Sequence, residues 1–108
     1  MNSKIKVLIG DDSAETGVSI ANKLRERGMY AYTRRKDMGV ILESIRKDTP
    51  DVAVLDVDAQ NGDVIAVMKG VREMGVKFPV FIVVSAYDNE FIERQVTENG
   101  ASRFLLKP

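Results

Sequence analysis

The sequence predicts an α/β protein, a doubly wound parallel sheet with helices on both faces, and two observations predict it. Short apolar runs alternate along the chain with segments whose apolar residues recur at helical spacing. Nearly every short run is apolar on consecutive residues, as in strands buried on both faces, rather than on every second residue. Right-handed crossovers then join each strand to the next.

Ile5, Val7, Leu8 and Ile9 make the first strand, which ends in Gly10-Asp11-Asp12. Ser13 suits the cap of a helix carrying Ala14, Val18, Ala21 and Leu24 on one stripe, with Gly28 just past its end. Met29 to Thr33 reads as the second strand. Asp37 can cap the clearest amphipathic helix, in which Met38, Ile41, Leu42 and Ile45 repeat at i, i+3, i+4 and i+7 before Asp48-Thr49-Pro50 stops it. Val52 to Leu55 is the third strand and runs into acid at Asp56 and Asp58. After a polar loop with Asn61-Gly62, a helix from Asp63 places Val64, Val67, Met68 and Val71 on one stripe. Beyond Gly75 and Pro79, Val80 to Val84 is the most apolar strand and belongs at the centre of the sheet. Asp88 or Asn89 opens a fourth helix bearing Ile92 and Val96, Asn99-Gly100 closes it, and Phe104-Leu105-Leu106 supplies a fifth strand before Lys107-Pro108.

The 108 residues have room for one domain, with no repeat, low-complexity tract or linker. Sixteen Lys plus Arg balance sixteen Asp plus Glu, so the charge makes no case for gripping nucleic acid or an anionic membrane directly. Cysteine is absent, which fits a reducing compartment, and no signal peptide or membrane span is expected, so a soluble cytoplasmic protein is anticipated. Histidine is absent too. Any chemistry must therefore run on carboxylates, hydroxyls and amines.

Those groups fall at strand ends. In an open parallel sheet, ligands bind beyond the carboxyl ends of the strands, near the point where strand order reverses. Strand one ends in Asp11-Asp12, strand three in Asp56, strand four in Ser85 and strand five in Lys107. Any one of these acids alone would pass as a solvated strand end or helix cap. Together, close carboxylates repel unless a cation neutralises them, and oxygen ligands without His or Cys point to a hard ion, Mg²⁺. A lysine ammonium and a serine hydroxyl opposite such an ion suit a phosphoryl group, with Asp56 as nucleophile.

In this order the pattern resembles the receiver domain of bacterial two-component response regulators over residues 4 to 108. The motifs that carry the resemblance are Val7-Leu8-Ile9-Gly10-Asp11-Asp12-Ser13, Pro50-Asp51-Val52-Ala53-Val54-Leu55-Asp56, Val83-Val84-Ser85-Ala86 and Gly100-Ala101-Ser102-Arg103-Phe104-Leu105-Leu106-Lys107-Pro108. Lys4-Ile5-Lys6-Val7 and the Gly-Ala-Ser-aromatic stretch look most like receivers of sporulation-type transcriptional regulators. The resemblance implies a flavodoxin-like strand order, 2-1-3-4-5, lacking the fifth helix. It implies that Asp12, Asp56 and the backbone carbonyl of Asp58 bind Mg²⁺, with Asp11 acting through a metal-bound water. Asp56 would accept the phosphoryl group from a histidine kinase or phosphotransfer protein, in a signalling domain rather than an enzyme. Ser85 and Lys107 would each hold a phosphoryl oxygen, the Lys107-Pro108 bond would be cis, and Phe104 would swing inward as Ser85 moves. Spacing aside, Phe104 also reads as an ordinary core aromatic on an edge strand.

The chain departs from the family after the phosphoacceptor, where Ala59-Gln60 replaces the usual Met-Pro pair and Asp58 adds a further acid. It also stops before a fifth helix. Exposed apolar surface is therefore expected, together with either a longer regulator carrying an output domain beyond Pro108 or a homodimer. Two other functions compete. One is a degenerate receiver acting only as a binding or dimerisation module. The other is a phosphohydrolase, since Asp56-Val57-Asp58 resembles the nucleophile motif of haloacid dehalogenase-type phosphatases, although that family places the motif on its first strand.

Overall fold

In the computed structural model, which describes residues 4–11, 14–35, 37–57 and 62–107, strands and helices alternate in the expected order. They are β1 (Lys6–Asp11), α1 (Ala14–Glu26), β2 (Tyr30–Arg35), α2 (Met38–Asp48), β3 (Val52–Val57), α3 (Gly62–Met74), β4 (Val80–Ser85), α4 (Glu90–Glu98) and β5 (Ala101–Leu106). The strands form one parallel sheet in the order β2-β1-β3-β4-β5. Order reverses between β1 and β3, so the carboxyl ends of those two strands flank the switch point.

The two faces are covered unequally. Ile41 and Ile45 of α2, Val64, Val67, Met68 and Val71 of α3, and Ile92 and Val96 of α4 pack with Leu8, Leu55, Phe81 and Val83 into the larger core. On the other face, α1 covers Val7, Ile9 and Ala31 with Ala21, helped by Ile20 and Leu24. Along β4, Phe81, Val83 and Ser85 are fully buried, whereas Val80 is 47% exposed and Ile82 and Val84 only partly covered. Leu105, paired with Val84, is 50% exposed on that same open face. The apolar run of β4 is interior to the sheet, between β3 and β5, but the centre belongs to β3, and only one face of β4 is sealed.

Local signals account for most boundaries. The side chain of Asp37 caps α2 by accepting the Val40 N–H at 3.1 Å, and that of Asn89, rather than Asp88, caps α4 by accepting from Phe91 and Ile92. Thr49 ends α2 in the left-handed region at φ 45°, its N–H bonded to the Ile45 carbonyl, and Pro50 prevents continuation. Asp51, part of a family motif, serves the sheet: its carboxylate accepts the Lys6 N–H at 2.8 Å and pairs with Lys77.

Three expectations need correction. The buried stripe of α1 is Gly17, Ile20, Ala21 and Leu24, while Val18 is 46% exposed, because α1 leans over β1 and β2 rather than the sheet centre. β2 continues to Arg35 because Arg34 and Arg35 pair with Gly10 and Asp11. β5 begins at Ala101, not Phe104, since Ala101 pairs with Phe81 ahead of a register shift. Polar residues are kept in these strands by backbone ladders, which side-chain patterning does not report. The Ser13 cap lies outside the described residues.

Tyr32 is 92% buried against α2, yet its hydroxyl has no hydrogen-bond partner. Burial, reinforced by the nearby Asp48 carboxylate, pushes its phenol up to about 12. An unfolded tyrosine titrates near 10. The folded value is the higher one, so the associated stability is intact below pH 10 and is lost as pH rises towards 12. Tyr32→Phe is expected to be neutral or slightly stabilising at pH 7 and to remove about 2 kcal/mol of the alkaline loss. Urea unfolding of both proteins at pH 7 and pH 11.5 checks this; parallel losses would place the alkaline sensitivity elsewhere.

Candidate functional site

The carboxyl edge of the sheet collects the expected groups by register. Gly10 pairs with Leu55, so the residues that follow them, Asp11 and Asp56, lie in the last two positions of adjacent strands at the switch point. Asp56 pairs with Val84, next to Ser85, and Ser85 pairs with Leu106, next to Lys107.

Asp56 is 92% buried, and its Oδ2 lies 2.9 Å from the Lys107 ammonium, whose side chain is 26% exposed. A buried carboxylate needs such a partner, because an uncompensated charge at that depth would cost several kcal/mol. The pair spans β3 and the end of β5 across β4. Lys107 is held there by its own backbone, whose N–H donates to the Ser85 carbonyl at 2.7 Å. Ser85 thus has a structural task that its sequence position did not advertise.

The Ser85 hydroxyl is fully buried and engaged with the backbone of Tyr87, donating to its carbonyl and accepting from its N–H, each at 3.0 Å. Phe104, opposite Val83, is partly buried and packs on the larger core. Beside Asp56 lies a crevice of ≈ 20 Å³, lined also by Asp37, Met38, Ile41, Leu55, Val64 and Val67. That is the volume of about one water. Asp37 at this crevice was not singled out from sequence, where its capping signal masked it.

Asp12, Asp58 and Pro108 lie outside the described residues, as does the carboxylate of Asp11, so their expected metal-binding roles and the cis bond are not seen here. No group of three or more His, Cys, Asp or Glu able to hold a metal occurs among the described residues. What is described fits a hard cation: Asp56 offers carboxylate oxygen at a strand end where β1 delivers the next acid, with no soft ligand in the chain.

Comparison with known proteins agrees with this arrangement. Residues 7–108 match the response regulator receiver domain family, and the chain belongs to that family. It is 32% identical over 108 residues to the alkaline phosphatase synthesis transcriptional regulatory protein PhoP of Bacillus subtilis, covering 100% of this chain and 43% of PhoP. The chain spans less than half the length of the curated relatives it matches. Among solved structures, the signal receiver domain of NarL from Mycobacterium tuberculosis superposes with a TM-score of 0.82 at 29% identity, over 97% of this chain and 85% of that one. A response regulator protein from Burkholderia pseudomallei, solved with a phosphorylated aspartic acid, calcium ion and citrate, shares the fold with a TM-score of 0.83 at 18% identity, over 98% and 61% of the two chains. The likeness to receivers of transcriptional regulators, and the flavodoxin-like order with four helices, are borne out. No helix of the described residues is long and apolar enough to cross a membrane.

Proposed function

We propose that this receiver takes a phosphoryl group onto Asp56 from a phosphohistidine on a histidine kinase or phosphotransfer protein, in a Mg²⁺-dependent step. The observation that carries this reading is the buried Asp56 carboxylate paired with Lys107 at the switch point of the sheet. An Asp56 oxygen attacks phosphorus, the phosphorus–nitrogen bond breaks, and its electron pair returns to the donor imidazole, leaving an acyl phosphate. Lys107 meets charge on the phosphoryl oxygens without having to travel far, since its ammonium already sits 2.9 Å from Asp56. Asp11, Asp12 and Asp56, with the Asp58 carbonyl, would hold Mg²⁺, which offsets carboxylate repulsion and neutralises phosphoryl charge when bound.

Switching follows from the engagement of Ser85. A phosphoryl oxygen competes with Tyr87 for its hydroxyl, and movement of that segment alters the space beside Phe104. Surface change of this kind suits control of an output domain or of pairing with a second copy, in the cytoplasm, without direct nucleic-acid contact by this domain. The phosphorylated aspartic acid of the Burkholderia neighbour supports the chemistry on the same fold.

Intact mass after incubation with Mg²⁺ and acetyl phosphate provides the test. One phosphoryl adduct is expected for wild type and none for Asp56→Asn or after chelation of Mg²⁺. An unmodified wild type with its fold intact would overturn this reading in favour of a phosphate-independent binding module.

A further inference from the structure

A cleft of ≈ 560 Å³ lies away from Asp56, between edge strand β2 and the carboxyl end of α2. Its size is that of a small-molecule site. Register explains its lining: Lys6 pairs with Tyr30 and Leu8 with Tyr32, so alternate residues of β2 face the side on which α2 packs. There α2 stops short of the sheet edge.

Four features of the lining point to one ligand class. Lys4, Lys6, Arg34 and Lys47 meet a single carboxylate, Asp48, although the chain as a whole is neutral. Tyr30 is 54% exposed and its ring sits 5.5 Å from that of Tyr32, tilted by 56°, leaving an aromatic surface open at the mouth. The Arg34 guanidinium lies 4.7 Å from the Tyr32 ring centre, and Lys6 is anchored to the Asp48 carbonyl at 2.6 Å, so cations and rings are held side by side. The buried Tyr32 hydroxyl in the wall has no partner, and such groups in folded proteins ordinarily have one. A bare anion would use the cations and leave the rings idle; an apolar ligand would do the reverse.

We infer that the cleft between β2 and α2 binds a nucleoside phosphate, with phosphates among Lys6, Arg34 and Lys47 and the base against Tyr30. Cations and rings gathered around one cleft of this volume suit a small ligand better than an extended acidic surface. The site is separate from Asp56, so it stands or falls independently of the phosphoacceptor reading.

Amide chemical shifts of the ¹⁵N-labelled chain, titrated without Mg²⁺ by ATP, GTP, CTP and UTP in turn, provide the test, with inorganic triphosphate and the nucleosides as controls. At least one nucleotide is expected to give saturable shifts at Lys6, at residues 30–34 and at residues 47–49. It should bind about tenfold or more tightly than either half alone, because both the cations and the rings contribute. Tyr30→Ala should weaken it about tenfold through lost stacking. Lys47→Glu should weaken both the nucleotide and triphosphate, and Tyr32→Phe the nucleotide alone. No saturable response at these amides with any nucleotide, a response that triphosphate alone reproduces in full, or affinities unmoved by all three variants would each overturn the proposal.

Discussion

Phe81→Ala is expected to destabilise the fold by about 3–5 kcal/mol, the range for emptying an aromatic site in a core that relaxes only partly. Phe81 is fully buried in β4 and meets Phe78 edge-on at a ring separation of 5.0 Å. It also lies opposite Ala101, where the register of β5 is set. Domains of this size hold about 5–15 kcal/mol in all, so a large share of the margin would go. Thermal unfolding should show a midpoint lower by roughly 15 °C or more. A loss under about 1 kcal/mol would mean that Phe78 or Met68 refills the space and that packing here is far more plastic than its burial indicates.

Lys107→Ala should slow phosphoryl-adduct formation by about 10²–10³-fold, as removal of a preorganised charge-stabilising donor does elsewhere. The expectation rests on the 2.9 Å pair with Asp56, which places the ammonium at the site before any phosphoryl group arrives. Single-turnover kinetics with acetyl phosphate and saturating Mg²⁺ would measure it, alongside urea unfolding to separate chemistry from folding. Loss of stability with an unchanged rate would give the lysine a purely structural role as counter-ion to a buried carboxylate.

The groups at the site were legible because their chemistry is odd for where they stand. Asp56 and Ser85 follow apolar strands and are themselves buried, a combination that core packing alone does not favour. Their second tasks were not legible. Ser85 holds Lys107 through its carbonyl and Tyr87 through its hydroxyl, and Asp37 reaches the crevice beside Asp56 while also capping α2. Neither the bond from Lys107 to Ser85 nor the reach of Asp37 to the crevice has a signature in local spacing.

By itself, the sequence determined the element order, the parallel sheet and the residues of the candidate site. Those depend on apolar periodicity and on cap and turn residues such as Asp37, Pro50 and Gly28, which act within a few positions of themselves. Only the tertiary structure decided which stripe of α1 is buried, where β2 ends and where β5 begins. It alone also brought Tyr30, Tyr32 and Lys6 together with the end of α2. These outcomes turn on strand register and on how far each helix reaches across the sheet, and both are set by contacts between residues distant in sequence.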